Sequence, residues 1–134
     1  MTAPFQPVEP AGLGRGAGFS HGLLAPAGGR VLFIAGQTAP RPGGPAPDTF
    51  LAQFDAALAR VLMVVAEAGG GPAHIGRMTI YVTSMPAYLD SRSALTANWR
   101  ARMGGHYPAM SVVAVTALVE PDAMVEIEAT AVLP

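Results

Sequence analysis

The sequence predicts an α+β domain in the order ββαβαββ: one mixed sheet with two helices on one face. Three observations carry this reading. From Met124 to Val132 apolar and polar residues alternate with period two, the pattern of a strand buried on one side. Over 50–65 and again over 88–103 the large apolar residues recur at helical spacing instead. Clusters of glycine and proline stand at the junctions, where the chain must turn.

The elements follow in order. Residues 1–16 are rich in Pro, Gly and Ala and read as a flexible, loosely held arm ahead of a single domain over 17–134. Two short strands are expected over 19–25 and 30–36, around a turn at 26–29. Residues 41–47 hold too many breakers to be anything but a loop. Asp48 is placed to cap the first helix, because a short acidic side chain can accept from the unpaired N–H groups of the first turn. Phe50, Phe54, Ala57, Leu58, Val61 and Val65 form that helix's apolar stripe, and the glycines at 69–71 end it. A β-branched run over 77–83 reads as a strand. Ser84 or Met85 then opens a second helix with Pro86 in its first turn, where the missing N–H costs nothing. Tyr88, Arg92, Leu95, Trp99 and Met103 lie along it, and Gly104-Gly105 stops it. Two closing strands flank a turn at Glu120-Pro121-Asp122.

Composition narrows the function classes. A chain of 134 residues is one domain, large enough to bury roughly two-thirds of its unfolded surface. It is 51% apolar and only 13% charged, so part of its surface is expected to be covered by other copies. A net charge of −1 makes no electrostatic case for nucleic acid or an anionic membrane. No apolar run approaches the roughly 20 residues that span a bilayer, and no basic segment followed by an apolar run marks a leader. With no cysteine there is no disulfide, thiol nucleophile or thiolate metal site, which fits a cytoplasmic protein.

Chemistry-bearing residues are few. Glu126 and Glu128 share one strand face, about 7 Å apart from the rise per residue; either a solvated face or a pocket accounts for them. Arg92 interrupts an apolar stripe, so it must snorkel outward, pair with Asp90, Glu126 or Glu128, or face a cleft. His21, His74 and His106 lack metal-ligand spacing and read as surface or turn residues. Ser20, Ser84 and Ser111 lack a nucleophile-elbow context. Gly43-Gly44 and the glycines at 69–71 lack the Gly-Lys-Ser/Thr that completes a phosphate loop. Tyr81 and Trp99 sit in apolar patterns and read as core.

The stretch HYPAMSVVAVTALVEPDAMVEIEATAV, from His106 to Val132, resembles the C-terminal signature of the RidA (YjgF/YER057c/UK114) superfamily. Gly18-Phe19-Ser20 is similar to that family's G-x-Y-S opening, Ala35-Gly36-Gln37 to its S-G-Q, and 79–85 to its T-V-Y-V-T-D-M strand. The helix bearing Gln53, Ala57 and Leu58 and closing on Ala66-Glu67-Ala68-Gly69 falls where the family has its first helix. The resemblance covers roughly 17–132 in the family's order. It implies a chorismate-mutase-like fold, a homotrimer with three intersubunit clefts, a small-molecule metabolite as ligand and no cofactor. Glu126 matches the Glu that helps position the attacking water in deaminase members. Phe19, Gly36, Arg92 and Met110 match substrate-binding positions. Two of these depart from the deaminase pattern: Met110 replaces the Arg that grips a substrate carboxylate, and Phe19 replaces a Tyr. Arg92, where the family often has Asn, could supply the anion grip instead.

The expected activity is therefore hydrolysis of an enamine, imine or related small C–N metabolite. The alternative is a small-molecule-binding trimer without catalysis, which the loss of the Arg favours. Ribonuclease activity, an older family label, is opposed by the absence of a basic patch.

Overall fold

The computed structural model describes residues 4–39 and 46–134. Among the described residues six strands and two α-helices succeed one another: β1 (Gln6–Val8), β2 (Gly22–Leu24), β3 (Arg30–Gln37), α1 (Phe50–Glu67), β4 (Ile75–Val82), α2 (Met85–Met103), β5 (Ala109–Ala114) and β6 (Val125–Leu133). The main sheet is mixed and runs β3-β6-β4-β5. Alternation decides its sides. Val125, Ile127, Ala129, Ala131 and Leu133 are buried, while Glu126, Glu128, Thr130 and Val132 between them are half-buried. The buried side joins Met78, Ile80 and Val82 of β4 to the apolar stripes of both helices in one core. Both helices thus cover the same face, and the opposite face stays open.

The predicted order holds for the six elements from β3 to β6, and the differences lie at the edges. The strand expected over 19–25 shortens to three residues. It pairs antiparallel with β1, outside the main sheet. The arm over 1–16 was expected to be loose, yet it carries β1 and buries Phe5 to 7% exposure. Phe5 lies over Gly76, where an added Cβ would stand only 2.8 Å from its ring, and stacks on His106 at a centroid distance of 6.3 Å. A single aromatic with a glycine-sized seat outweighs the Pro/Gly composition around it. The last two strands are not neighbours: β4 lies between them, parallel to β5 and antiparallel to β6. A parallel pair needs a long crossover, and α2 supplies it.

Caps refine the helix boundaries. Thr49, not Asp48, caps α1; its hydroxyl accepts from the Ala52 N–H at 3.2 Å. Ser84 caps α2 as expected, accepting from the Ala87 N–H at 3.2 Å. Buried Gln53 ties the start of α1 to two loops. Its amide donates to the Pro47 and Asp122 carbonyls at 2.9 and 3.1 Å, and its oxygen accepts from the Met124 N–H at 2.8 Å. The expected loop over 41–47 lies mostly outside the described residues. Among the described residues no helix is long and apolar enough to cross a membrane.

Candidate functional site

Two hollows flank the sheet, one on each face. The larger, about 490 Å³, opens between the 17–19 segment, α2 and edge strand β5. Helical spacing brings Tyr88, Arg92, Leu95, Thr96 and Trp99 to one side of α2, and these form one wall. Met110 and Val112 project to the same face from β5, in register with buried Met78 and Ile80 of β4. Phe19 closes a third side. It is held there because Ser20 is bonded twice to the start of β5: its N–H to the Pro108 carbonyl at 3.1 Å and its hydroxyl to the Tyr107 carbonyl at 2.6 Å.

The aromatic walls are locked. Trp99 donates its indole N–H to the His106 carbonyl at 3.1 Å and stacks on Tyr107 at 6.0 Å with the rings 7° from parallel. His106 is itself fixed by an Nε2 contact to the Ile75 carbonyl at 2.7 Å. Tyr88 rests edge-on against Phe50 at 6.2 Å. Against these fixed surfaces one charge stands out. Among the described residues the Arg92 guanidinium has no hydrogen-bond or ion-pair partner, and neither do the Tyr88 and Tyr107 hydroxyls.

The second hollow, about 310 Å³, lies on the open face. Gly36, Tyr81, Glu126 and Glu128 line it with the loop residues Ala117, Leu118 and Val119. The two carboxylates differ in their surroundings. Tyr81 donates its phenol proton to Glu128 in a short hydrogen bond, which holds the phenol's pKa above its usual 10.0. Glu126 accepts no hydrogen bond among the described residues, and Gly36 lies against it. A Cβ at Gly36 would overlap the Glu126 carboxylate, so only glycine leaves that oxygen its place.

Of the expected site residues, Phe19, Arg92 and Met110 thus meet in the first hollow, and Gly36 and Glu126 in the second. The sheet separates the two groups within one chain. Arg92 pairs with none of Asp90, Glu126 and Glu128. Tyr81 is not core but half-buried on the open face. The alternation Arg77-Met78-Thr79-Ile80-Tyr81-Val82 already placed it with the polar residues. Trp99 is core and cavity wall at once, 7% exposed. His74 is buried rather than superficial, its Nδ1 accepting from the Gly71 N–H at 2.9 Å. Among the described residues no group of three or more His, Cys, Asp and Glu could hold a metal ion.

Comparison with known proteins agrees with this geometry. Residues 14–133 match the family model described as Endoribonuclease L-PSP. The crystal structure of YyfB from Yersinia pestis, a protein of unknown function of the conserved Rid family, is similar over 97% of this chain and 99% of its own, with 34% identity and a TM-score of 0.82. Rv2704 from Mycobacterium tuberculosis, of the YjgF/YER057c/UK114 family, shares 30% identity over 87% of each chain with a TM-score of 0.65. The E. coli YjgF protein shares 27% over 85% of this chain and 87% of its own, with a TM-score of 0.68. No curated protein matches the chain.

Proposed function

The chain belongs to the endoribonuclease L-PSP family, the YjgF/RidA proteins, and from that premise we propose that it hydrolyses an enamine, imine or related small C–N metabolite. The cleft joins the Phe19–Arg92–Met110 cavity of one copy to the Gly36–Glu126 surface of the next, in a homotrimer. The observation that carries the reading is the contrast between the two carboxylates: Glu128 is engaged by Tyr81, whereas Glu126 has no hydrogen-bond partner among the described residues.

The chemistry needs no group beyond the chain. An imine carbon is already electrophilic. Water adds to that carbon as Glu126 accepts one of its protons, and Glu126 passes that proton to the nitrogen, giving a carbinolamine. Glu126 then takes the hydroxyl proton and delivers it to the same nitrogen as the C–N bond breaks, so that an amine or ammonia departs and a carbonyl remains. A carboxylate placed within reach of the attacking water contributes about 10²–10⁴-fold.

Assembly is supported by the open face. Phe33 is 81% exposed and Val31 55% exposed. The run Val31-Leu32-Phe33-Ile34-Ala35 lacks polar alternation, as strands covered on both faces do. One cover is the core; the other side, exposed among the described residues, is offered to a second copy.

Met110 favours a second reading, a binding trimer without catalysis, because it removes the charge that deaminase members place there. One assay separates the two: ammonia release from freshly generated 2-imino acids and from neutral imines, with wild type beside Glu126→Ala. A wild-type rate that falls about 100-fold or more in the variant, at unchanged mass, supports the hydrolase. A variant as fast as wild type removes Glu126 from the mechanism. No turnover of any C–N substrate leaves the binding module. RNA cleavage in a parallel arm would restore the ribonuclease reading that the charge of −1 opposes.

A further inference from the structure

We propose that the larger cavity selects a monocarboxylate with an aromatic or similarly bulky apolar body, its acid group gripped by Arg92 from the helix side. The inference rests on the cleft of the preceding reading and names what fills it.

Charge comes first. Among the described residues of one chain Arg92 is the only charged residue lining the cavity, and its guanidinium has no partner there. An unengaged guanidinium beside apolar walls offers a planar fork of donors that matches a carboxylate. It also repels a cation, so the aromatic walls do not form an ammonium cage. A single positive charge balances a single negative one; a phosphate monoester would leave charge uncompensated there.

Shape comes second. Arg92 sits one turn from Tyr88 on one side and from Leu95 and Thr96 on the other, so its stem rises from the same helix face as the walls. Beyond it lie Phe19, Trp99, Tyr107 and Met110. A volume of about 490 Å³ is that of a drug-sized ligand, and a three- or four-carbon acid leaves most of these walls in contact with water. Met110 is decisive here. An Arg at that position would put a second charge among the apolar walls, whereas a thioether chain packs against a ring. Because Trp99 and Tyr107 are already locked, little ordering cost opposes binding. The Tyr88 and Tyr107 hydroxyls remain for the polar substituents of the ligand.

The chain has one tryptophan, Trp99, in the cavity wall, so its emission reads occupancy without turnover. The probes are 3-phenylpropionate, its neutral amide and butyrate, titrated against the full chain. The expected result is a saturable change with 3-phenylpropionate and binding about tenfold or more weaker for the amide. In Arg92→Gln, an exposed position, acid affinity falls about tenfold while the amide stays within about twofold. Two results overturn the proposal: butyrate binding as tightly as 3-phenylpropionate, or Arg92→Gln weakening acid and amide alike. The imine-hydrolysis assay, run beside this titration on the wild-type chain, separates this from the hydrolase reading. Tight binding without hydrolysis of any C–N substrate sinks the hydrolase and leaves this proposal standing. Hydrolysis without any 3-phenylpropionate binding sinks this proposal alone.

Discussion

A single hydrogen atom at position 36 decides where Glu126 can stand. Any side chain on Gly36 would run into its carboxylate, so Gly36→Ala must displace the group proposed to take the proton. Displacements near 1 Å cost about 100-fold in rate. We expect Gly36→Ala to lose activity by about that factor at unchanged native mass. Full activity in this variant would place the reactive carboxylate elsewhere. At this scale the sequence was partly legible. Period two put Glu126 and Glu128 on one face, but nothing in the spacing separated the engaged carboxylate from the free one. That distinction depends on Tyr81, which belongs to another strand. The split of Phe19, Arg92 and Met110 from Gly36 and Glu126 was hidden for a related reason: which face a residue joins depends on strand order, and order is a long-range property.

Between α1 and α2 a polar clamp does what the apolar stripes cannot do at the rim. Arg102 meets Asp55 through two nitrogens, at 2.7 and 3.0 Å, and Asn98 donates to the same carboxylate at 2.6 Å. The Arg102 hydrogen bond is the largest cause of the lowered Asp55 pKa, relative to an ordinary value of 3.8. A carboxyl group with a depressed folded-state pKa stabilises the fold above its unfolded pKa, and that contribution disappears as pH falls through the folded value. Both side chains are more than a third exposed, at 38% and 36%, so solvent keeps the effect below about 1 kcal/mol. Arg102→Ala should therefore lower the urea midpoint slightly at neutral pH, with the difference from wild type disappearing as pH falls through the lowered Asp55 pKa. A difference that persists in acid would mean the arginine acts through packing. The elements themselves were legible wherever periodicity and capping agreed, as at Ser84 and Pro86 of α2. Where only composition spoke, the reading slipped: the proline-rich arm carries β1, and the Asp48 cap moved one residue to Thr49.

For the whole molecule the open face is the feature to test. Phe33, at 81% exposure, is a large apolar surface that a lone chain leaves wet. If the proposed trimer holds, Phe33→Glu should shift the native mass measured by light scattering from trimer to monomer and abolish the proposed C–N hydrolysis, because each proposed cleft draws on two copies. A variant that keeps the trimer mass would exclude this face as the contact. A 51% apolar content with 13% charge raised the expectation of a covered surface. It could not say which, because β3 is apolar on both sides.

The position of β6 governs when this protein can come into being. It lies between β3 and β4 although it follows both in the chain, and its partner Arg30 is about a hundred residues from Leu133. A nascent chain that has emerged through β5 holds β3 with its inner edge unpaired and β4 bonded on one side only. Closing that gap must await synthesis of residues 125–133, and pairing over such sequence separations is slow. Until then two apolar strand edges are exposed together on the ribosome, an interval in which chaperones or neighbouring nascent chains meet them first.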